Sequence, residues 1–260
     1  MHPPAGRVAT GRIRVGCSGW QYPHWRGVFY PQELPSGRWL EHYARTFDTV
    51  EVNASFYRLP TEDTARAWAA RVDGDFVFAW KASRYLTHNK KLKDAAPPLE
   101  LMMGRAGALG HKLGPVLVQL PPRWGADLDR LEQFLALLPR RRRFAFEFRD
   151  ASWYDPRVLR ALERHGAALC VHDMRGSASP EGVLAGPFVY ARFHGTDTDK
   201  HGGRYGARAL APWADLLADA ARRGRDVYAY FNNDVGGAAP RDALVLREAL
   251  RRRLGQRRAA

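Results

Sequence analysis

The sequence has only two cysteines among its 260 residues, Cys17 and Cys170, and neither belongs to a C-x-x-C pair or another close metal-binding spacing. Two cysteines are too few for a disulfide framework, and the missing spacing excludes a zinc ribbon or zinc finger. Both fall in segments predicted to be strands. We therefore interpret them as small core residues of a reduced, cytoplasmic protein.

Long apolar runs are missing too, and so are several well-known motifs. No stretch approaches the roughly 20 apolar residues that a membrane helix needs, and residues 1–10 lack the apolar segment of a signal peptide. The sequence therefore predicts no membrane partner. It has no Walker loop, no Gly-x-Ser-x-Gly elbow and no Gly-x-Gly-x-x-Gly turn after its first predicted strand, which argues against the enzyme classes built on those motifs.

Acidic residues are scarce relative to basic ones. Asp and Glu number 27 against 41 Lys and Arg, which gives a net charge of +14 and a pI of about 10.3. Such an excess predicts an anionic partner, either a small molecule or nucleic acid. The alternative is a base-composition bias, because 35 of the 41 cations are arginine and many lie in clusters such as 140–143 and 251–253.

The segment Thr49–Val52 is short and β-branched, as in a buried strand, yet it contains Glu51 and is followed by Asn53. Because alternate residues share a face of a strand, Val50 and Val52 point one way while Glu51 and Asn53 point the other. Burying a carboxylate is unfavourable unless it is paired or used. We therefore expect an apolar outer face and a polar pocket at the end of this strand.

The same alternation recurs along the chain. The eight predicted strands are 13–18, 49–52, 76–81, 116–119, 144–149, 168–172, 188–194 and 227–232, and most end on a polar residue. The predicted helices lie at 39–47, after the cap Thr61, at 97–110, 127–138, 155–166, 212–222 and 241–254. Glycines and prolines between His172 and Phe188 oppose a helix there, so we expect the sixth crossover to be abbreviated.

Strands that alternate with helices indicate βαβ units and a parallel sheet. The prediction is an α/β fold, a (β/α)8 TIM barrel with eight parallel strands; an open doubly wound sheet is the alternative. We expect one domain over 1–260, with a mobile lead-in at 1–11 and a basic tail at 255–260. A TIM barrel places its active site at the C-terminal strand ends, where the polar residues fall.

These strand ends supply the candidate site. Two carboxylates, Glu51 and Glu147, suit general acid–base chemistry, while amides would orient and cations neutralise a substrate. The catalytic candidates are Glu51, Asn53, Lys81, Glu147, Arg149, His172, Arg192, His194 and Asn232. The substrate-binding candidates are Ser18, Trp20, Tyr22, Trp25, Phe56, Tyr57, Arg58, Thr87, His88, Gln119, Trp153, Lys200, Arg204, Asn233, Gly236 and Gly237.

Other interpretations of these residues stay open. The carboxylates could instead be neutralised by arginine in a structural network, and the aromatic residues could pack as a lid over the barrel. No cofactor is predicted. A divalent metal held by His172, Asp173 and His194 together with the two carboxylates is less favoured, because neighbouring cations would compete with it. A Schiff-base role for Lys81 is also less favoured, because carboxylates nearby are expected to hold it charged.

Several motifs resemble one known family in their order along the chain. They are C-S-G-W-Q-Y-P-H-W-R-G-V-F-Y-P at 17–31, T-V-E-V-N-A-S-F-Y-R-L-P at 49–60, T-H at 87–88, G-P-V-L-V-Q-L-P-P at 114–122, E-F-R-D-A-S-W at 147–153, Y-A-R-F-H-G at 190–195 and Y-F-N-N at 230–233. The chain resembles the YecE-like TIM-barrel family, a domain family of unknown function (number seventy-two in its series), from about residue 13 to 250. The resemblance implies the barrel and supplies no activity. Ser55 and Asp150 stand where the family tends to have Thr and His, so any role of that histidine is absent or replaced.

The sequence thus favours an enzyme that acts on an anionic, phosphate-bearing substrate at the barrel mouth. It would be of the phosphoester hydrolase or lyase type, with nucleic acid as one candidate substrate. The loops after the seventh and eighth strands, with their glycines, would hold the anion. The alternative is a non-catalytic nucleic-acid-binding protein that uses its basic surface. The oligomeric state is not indicated by the sequence.

Overall fold

Eight parallel strands form a barrel in which each strand lies beside the next one along the chain. The computed structural model describes residues 9–197 and 202–255. The strands are β1 (Ile13–Cys17), β2 (Thr49–Val52), β3 (Val77–Lys81), β4 (Leu113–Gln119), β5 (Phe144–Glu147), β6 (Ala168–His172), β7 (Val189–Phe193) and β8 (Val227–Phe231). Strand β8 returns to pair with β1. The predicted parallel barrel is confirmed, and the open sheet is excluded.

The described residues include seven α-helices, of which six connect successive strands and the last follows β8. They are α1 (Trp39–Ala44), α2 (Glu62–Ala70), α3 (Ala96–Gly107), α4 (Leu128–Leu137), α5 (Pro156–Arg164), α6 (Gly206–Arg222) and α7 (Ala238–Gly255). Thr61, Asp127 and Asp155 each accept a backbone N–H at the start of a helix, the role expected of these residue types. No helix forms between His172 and Val189, as the glycines and prolines of that segment predict.

Several element boundaries differ from the sequence-based prediction, among them the starts of β4 and α6. Strand β4 begins at Leu113 and runs through Pro115, because the register with β3 shifts there and the missing N–H of proline falls at the irregularity. Helix α6 begins at Gly206, so Pro212 lies inside it. Its first turn follows Tyr205, whose backbone N–H donates to Asp242 in α7.

The two faces of the strands bury two separate apolar cores. The outer core, between strands and helices, includes Val50, Phe78, Phe146 and Phe193, which confirms the assignment of these residues to the outer face. The inner core is smaller and consists of Val77, Ala79, Leu117, Ala145, Ala168, Cys170, Phe188, Tyr190, Tyr228 and Tyr230. Small residues and tyrosines fill the lower barrel, and the charged residues lie above them at the C-terminal strand ends.

Two further findings concern membrane-spanning helices and the two cysteines. In the described part of the chain, no helix has the length and apolar character needed to cross a bilayer. Cys17 and Cys170 are free and buried, in the outer and inner cores respectively.

The barrel closes between β1 and β2 through a side chain. These strands meet at one isolated backbone bridge, between Ser18 and Glu51. Below it, the Tyr43 hydroxyl accepts a hydrogen bond from the Cys17 N–H (2.8 Å) and donates one to the Thr49 carbonyl (3.0 Å). Gly16 permits this approach, because a Cβ there would lie 2.3 Å from the Thr49 carbonyl oxygen. At this seam between β1 and β2, the Tyr43 hydroxyl therefore links the two strands in place of direct backbone hydrogen bonds.

Tyr43→Phe is expected to lower the free energy of unfolding by about 1–3 kcal/mol, because it leaves a buried N–H and a buried C=O unpaired. Urea denaturation measures the change. The matched control is Tyr57→Phe, whose ring is 75% exposed and which is expected to change stability by less than about 0.5 kcal/mol. Equal effects of the two substitutions would show that the hydroxyl does not hold the seam.

Candidate active site at the barrel mouth

The predicted site residues converge at the C-terminal ends of the strands. Strand register places Gln119 beside Glu147 and His172 beside Arg192, and the bridge from Ser18 reaches Glu51 across the closing seam. One connected set of side chains therefore spans the mouth, as the alternation of strand faces predicts.

Arg192 lies at the centre of this set. Its Nη2 donates to Glu51 Oε1 at 2.8 Å and its Nη1 donates to Glu147 Oε2 at 2.7 Å. All three side chains are 0% exposed, so each charge depends on the others for compensation. Tyr190, from the same face of β7, donates its hydroxyl to the second oxygen of Glu51 at 2.6 Å. We call Glu51, Arg192 and Glu147 the buried floor.

Arg149 extends the floor toward solvent. Its Nε donates to Glu147 Oε1 at 2.5 Å, and its Nη2 also pairs with that carboxylate. Burial raises the pKa of Glu147, but the guanidinium groups of Arg149 and Arg192 outweigh it and hold the pKa well below its usual range. Glu147 is therefore ionised, and both of its oxygens are engaged. Two carboxylates and two guanidinium groups leave the set electrically balanced.

Lys81, at the end of β3, is the cation of the mouth without a carboxylate partner among the described residues. Its Nζ donates to Asn53 Oδ1 at 3.1 Å and lies 4.3 Å from the centre of the Phe56 ring; the side chain is almost fully buried. Burial and the charge of Arg192 lower the pKa of Lys81 to about 7, against the opposing pull of Glu51 and Glu147. The carboxylates favour the charged form of Lys81, as expected, but burial and the charge of Arg192 outweigh them.

The histidines of the mouth are neutral. Burial, reinforced by Arg192, puts the pKa of His194 well below its usual value, and burial also lowers the pKa of His172. His172 Nε2 donates to the Phe148 carbonyl at 2.8 Å, and its Nδ1 accepts the Met174 N–H at 3.3 Å. Arg149 Nη2 donates to His194 Nε2 at 3.3 Å.

A metal site at the mouth would have suitable ligand atoms, but the charges around them disfavour a cation. Glu147, His172 and His194 each bring a ligand atom within 4.8 Å of the others. The carboxylate, however, is held by two guanidinium groups, and His172 uses both ring nitrogens for hydrogen bonds to the backbone. A cation at this point would have to displace Arg149 and to break the His172 contacts. The arrangement suits a guanidinium group better than a metal ion.

Some of the aromatic residues predicted to bind substrate are buried, and others are exposed. Trp20, Trp25 and Trp153 belong to the outer core, and the indole N–H groups of Trp25 and Trp153 donate to carbonyls in neighbouring loops. Their position matches the lid alternative. Tyr22 is half-buried, with its hydroxyl donating to the Ser18 carbonyl. Phe56 is buried beside Lys81, whereas Tyr57 and Arg58 extend into solvent.

The loop after β3, which follows Lys81, contains a helical turn and a strained stretch of backbone. Residues Tyr85–Asn89 form a single π-helical turn, in which Thr87 donates to the Ser83 carbonyl. Burial and nearby cations lower the pKa of His88 to about 4. Lys91, Leu92 and Asp94 follow with φ of 47°, 64° and 44°. Such strained backbone costs of order 1–3 kcal/mol for each residue and is concentrated at binding sites.

The anion site that the glycines of the loops after β7 and β8 predicted stays a prediction, because Lys200 lies outside the described residues. Asn233 is buried and its amide donates to the Gly203 carbonyl and to Asp242, while Arg204 is largely exposed. The Gly237 N–H donates to the Asp234 carbonyl and the Ala239 N–H to the Asn233 carbonyl, so these amides are not available to a ligand. Gly236 and Gly237 serve a turn with φ of 64° and 68°, and a Cβ at Gly237 would lie 2.5 Å from Val28.

Three participants were missed by sequence reasoning. Tyr190 shares the alternation of Arg192 and could have been added on that basis. Tyr205 donates its hydroxyl to Asp173 Oδ2 at 2.5 Å, and Asp173 Oδ1 accepts the His194 N–H at 2.8 Å. Asp242 is fully buried and holds both Tyr205 and Asn233. Nothing in the spacing of Tyr205 or Asp242 signals these contacts.

Comparison with known proteins identifies relatives over most of the chain. A family model described as "Protein of unknown function DUF72" matches residues 14–260. The Escherichia coli K12 protein UPF0759 YecE is 26% identical over 169 residues, which are 63% of this chain and 60% of that protein, so the match spans less than two thirds of that relative. The Bacillus subtilis protein UPF0759 YunF is 26% identical over 92% of this chain and 94% of its own length. The crystal structure of a DUF72 family protein from Thermotoga maritima superposes with a TM-score of 0.84 at 25% identity, covering 92% of this chain and 99% of that one.

Arg192→Met is expected to lower the free energy of unfolding by about 3–5 kcal/mol, because it leaves Glu51 and Glu147 buried without their shared counterion. Chemical denaturation followed by tryptophan fluorescence measures the change. The control is Arg164→Met, which removes a surface pair with Glu132 and should cost at most about 1 kcal/mol. A loss no larger than that of the control would refute the dependence of the barrel on the buried floor.

Proposed function

The chain belongs to the DUF72 family, and we propose that its barrel mouth is the active site of an enzyme that acts on an anionic, phosphate-bearing substrate. The observation that carries this proposal is the position of Lys81. Its amine lies at the mouth beside Asn53, almost fully buried, while the carboxylates nearby are already paired with arginine. A substrate that supplies negative charge would complete this arrangement.

The charge pattern supports an anion and not a neutral ligand. The four charges of Glu51, Glu147, Arg149 and Arg192 balance, and Lys81 adds positive charge whenever it is protonated. Two buried polar atoms beside the floor, Ser18 Oγ and Arg192 Nε, have no hydrogen-bond partner in the described chain. Buried donors without partners are rare in proteins, and both could serve a bound ligand. Arg149, with its fork of N–H donors, suits a phosphate oxygen.

Lys81 is the proposed acid–base group. A group whose pKa lies near the working pH is present in both protonation states and transfers protons efficiently. The pKa of Lys81, about 7, meets this condition, whereas the pKa of Glu147 lies far below it. In a phosphoester hydrolase, neutral Lys81 would take a proton from the attacking water, and in a lyase it would take one from substrate carbon. The ammonium group so formed would then protonate the leaving oxygen.

Glu51 and Glu147 receive a different role in this proposal from the acid–base role that the sequence suggested. Both are fully buried, and their oxygens accept hydrogen bonds from Arg192, Arg149 and Tyr190. They fix in place the guanidinium groups of Arg149 and Arg192, which add to burial in lowering the pKa of Lys81. Preorganised charge of this kind stabilises a transition state without reorganisation during the reaction.

The proposed location is the cytoplasm. The free thiols Cys17 and Cys170 are the form that a reducing compartment maintains.

Lys81 substitutions separate anion binding from proton transfer. Lys81→Arg keeps a positive charge that does not titrate near neutrality, so phosphoester turnover is expected to fall at least about 100-fold while KM changes little. Lys81→Met removes the charge and should also raise KM. Because the neutral amine is the base, kcat/KM of the unaltered protein should rise as the pH increases through about 7. A panel of phosphomonoester, phosphodiester and nucleic-acid substrates, assayed at several pH values, provides the measurement.

The matched control is Lys93→Met, since Lys93 is an exposed residue of the loop after β3 and its loss should leave turnover unchanged. Full activity of Lys81→Arg would refute the acid–base assignment. Nucleic-acid binding that weakens steeply with salt, survives Lys81→Met and comes with no turnover would instead favour a non-catalytic binding protein.

A further inference from the structure

A second concentration of positive charge lies at the opposite end of the barrel. The N-terminal ends of β1, β3, β4 and β8 line an open cavity of about 460 Å³ there. Five arginines line it: Arg12, Arg14, Arg141, Arg142 and Arg143. They come from two segments about 130 residues apart in sequence, which the closing of the barrel brings together.

Two of these arginines are held in fixed orientations. Arg14 is buried, and its Nη1 donates to Asp48 Oδ2 at 2.8 Å and to the Asp48 carbonyl at 3.1 Å. Arg143 donates from Nη1 to Asp226 Oδ2 at 2.6 Å and to the Tyr228 hydroxyl at 2.9 Å. These contacts use one terminal nitrogen of each group. The remaining N–H donors of both forks make no hydrogen bond within the described chain, so they are available to a ligand.

The other three arginines leave the cavity with excess charge. Among the residues that the structure describes, no acidic side chain forms an ion pair with Arg12, Arg141 or Arg142. Other surface arginines do form such pairs. Against five arginines, the acidic residues of the lining are Asp75 and Asp226, and Asp48 pairs with Arg14 from outside the lining, which leaves an excess of two positive charges. Like charges gathered in one concave surface attract a multivalent anion.

We infer that this cavity binds a compact polyphosphate anion. Its volume falls within the range of small-molecule sites, and arginine forks match phosphate oxygens in geometry as well as in charge. Two aromatic rings of the lining, Phe76 and Tyr228, are buried, so the His111 imidazole is the one exposed ring of the lining that could stack on a base. With five arginines against one exposed ring, the ligand would be recognised chiefly through its phosphates. This site is independent of the mouth, since no residue is shared between them.

Titration calorimetry with sodium tripolyphosphate tests the inference on the full-length protein. The double variant Arg141→Gln/Arg142→Gln removes two lining charges that no described contact requires, and it should weaken binding at least about tenfold. The control Arg160→Gln/Arg251→Gln removes the same net charge from exposed positions on α5 and α7 and should change the affinity less than about twofold. Lys81→Met should leave tripolyphosphate binding unchanged, which separates this site from the mouth.

Three results would overturn the inference. Equal weakening by the two double variants would show a response to net charge alone. Absence of tripolyphosphate binding near physiological salt, about 150 mM, would show that the arginines serve only stability. Tighter binding of a duplex DNA oligomer than of tripolyphosphate, lost in Arg141→Gln/Arg142→Gln, would assign the face to nucleic acid instead of a compact anion.

Discussion

The upper half of the barrel depends on one guanidinium group shared by two carboxylates. Arg192 contacts Glu51 from the far side of the barrel and Glu147 from the strand two places before its own, and all three side chains are removed from water. A buried charge without a counterion costs several kcal/mol, so none of the three can be changed alone. The strands that carry them, β2, β5 and β7, are held at a fixed spacing by the same contacts that neutralise the charges.

This constraint shapes the chemistry of the mouth. Burial lowers the pKa of Lys81 to about 7, the charge of Arg192 adds to this effect, and Glu51 and Glu147 oppose it without restoring the usual value. A lysine next to an unpaired carboxylate would stay protonated. The site thus combines buried, paired charges with one amine whose pKa lies near neutral pH. The loop after β3, which contains the π-helical turn, follows that amine in the chain.

The strand pattern was predictable in detail because its cause is local. Alternation of apolar and polar residues with a period of two placed Glu51, Lys81, Gln119, Glu147 and Arg192 on the inner face, and the register of the barrel confirms them there. Residue type at the strand ends could not reveal which groups pair with which. The role of Tyr43 in closing the seam was equally hidden, because its partners lie in two other elements. The glycines after β8 suggested open backbone amides, but the Gly237 N–H donates to the Asp234 carbonyl and the Ala239 N–H donates to the Asn233 carbonyl.

The sequence by itself determined the eight strands, the parallel barrel, the missing sixth helix and the end of the barrel at which the polar residues gather. Each follows from the short-range periods of strands and helices and from the places where glycine and proline interrupt them. Only the tertiary structure decided that Glu51 and Glu147 are paired with arginine, that Lys81 loses its proton near neutral pH and that arginines from distant segments meet below the barrel. These properties depend on distance and burial, and closure of the barrel sets both between residues that lie up to about 140 positions apart.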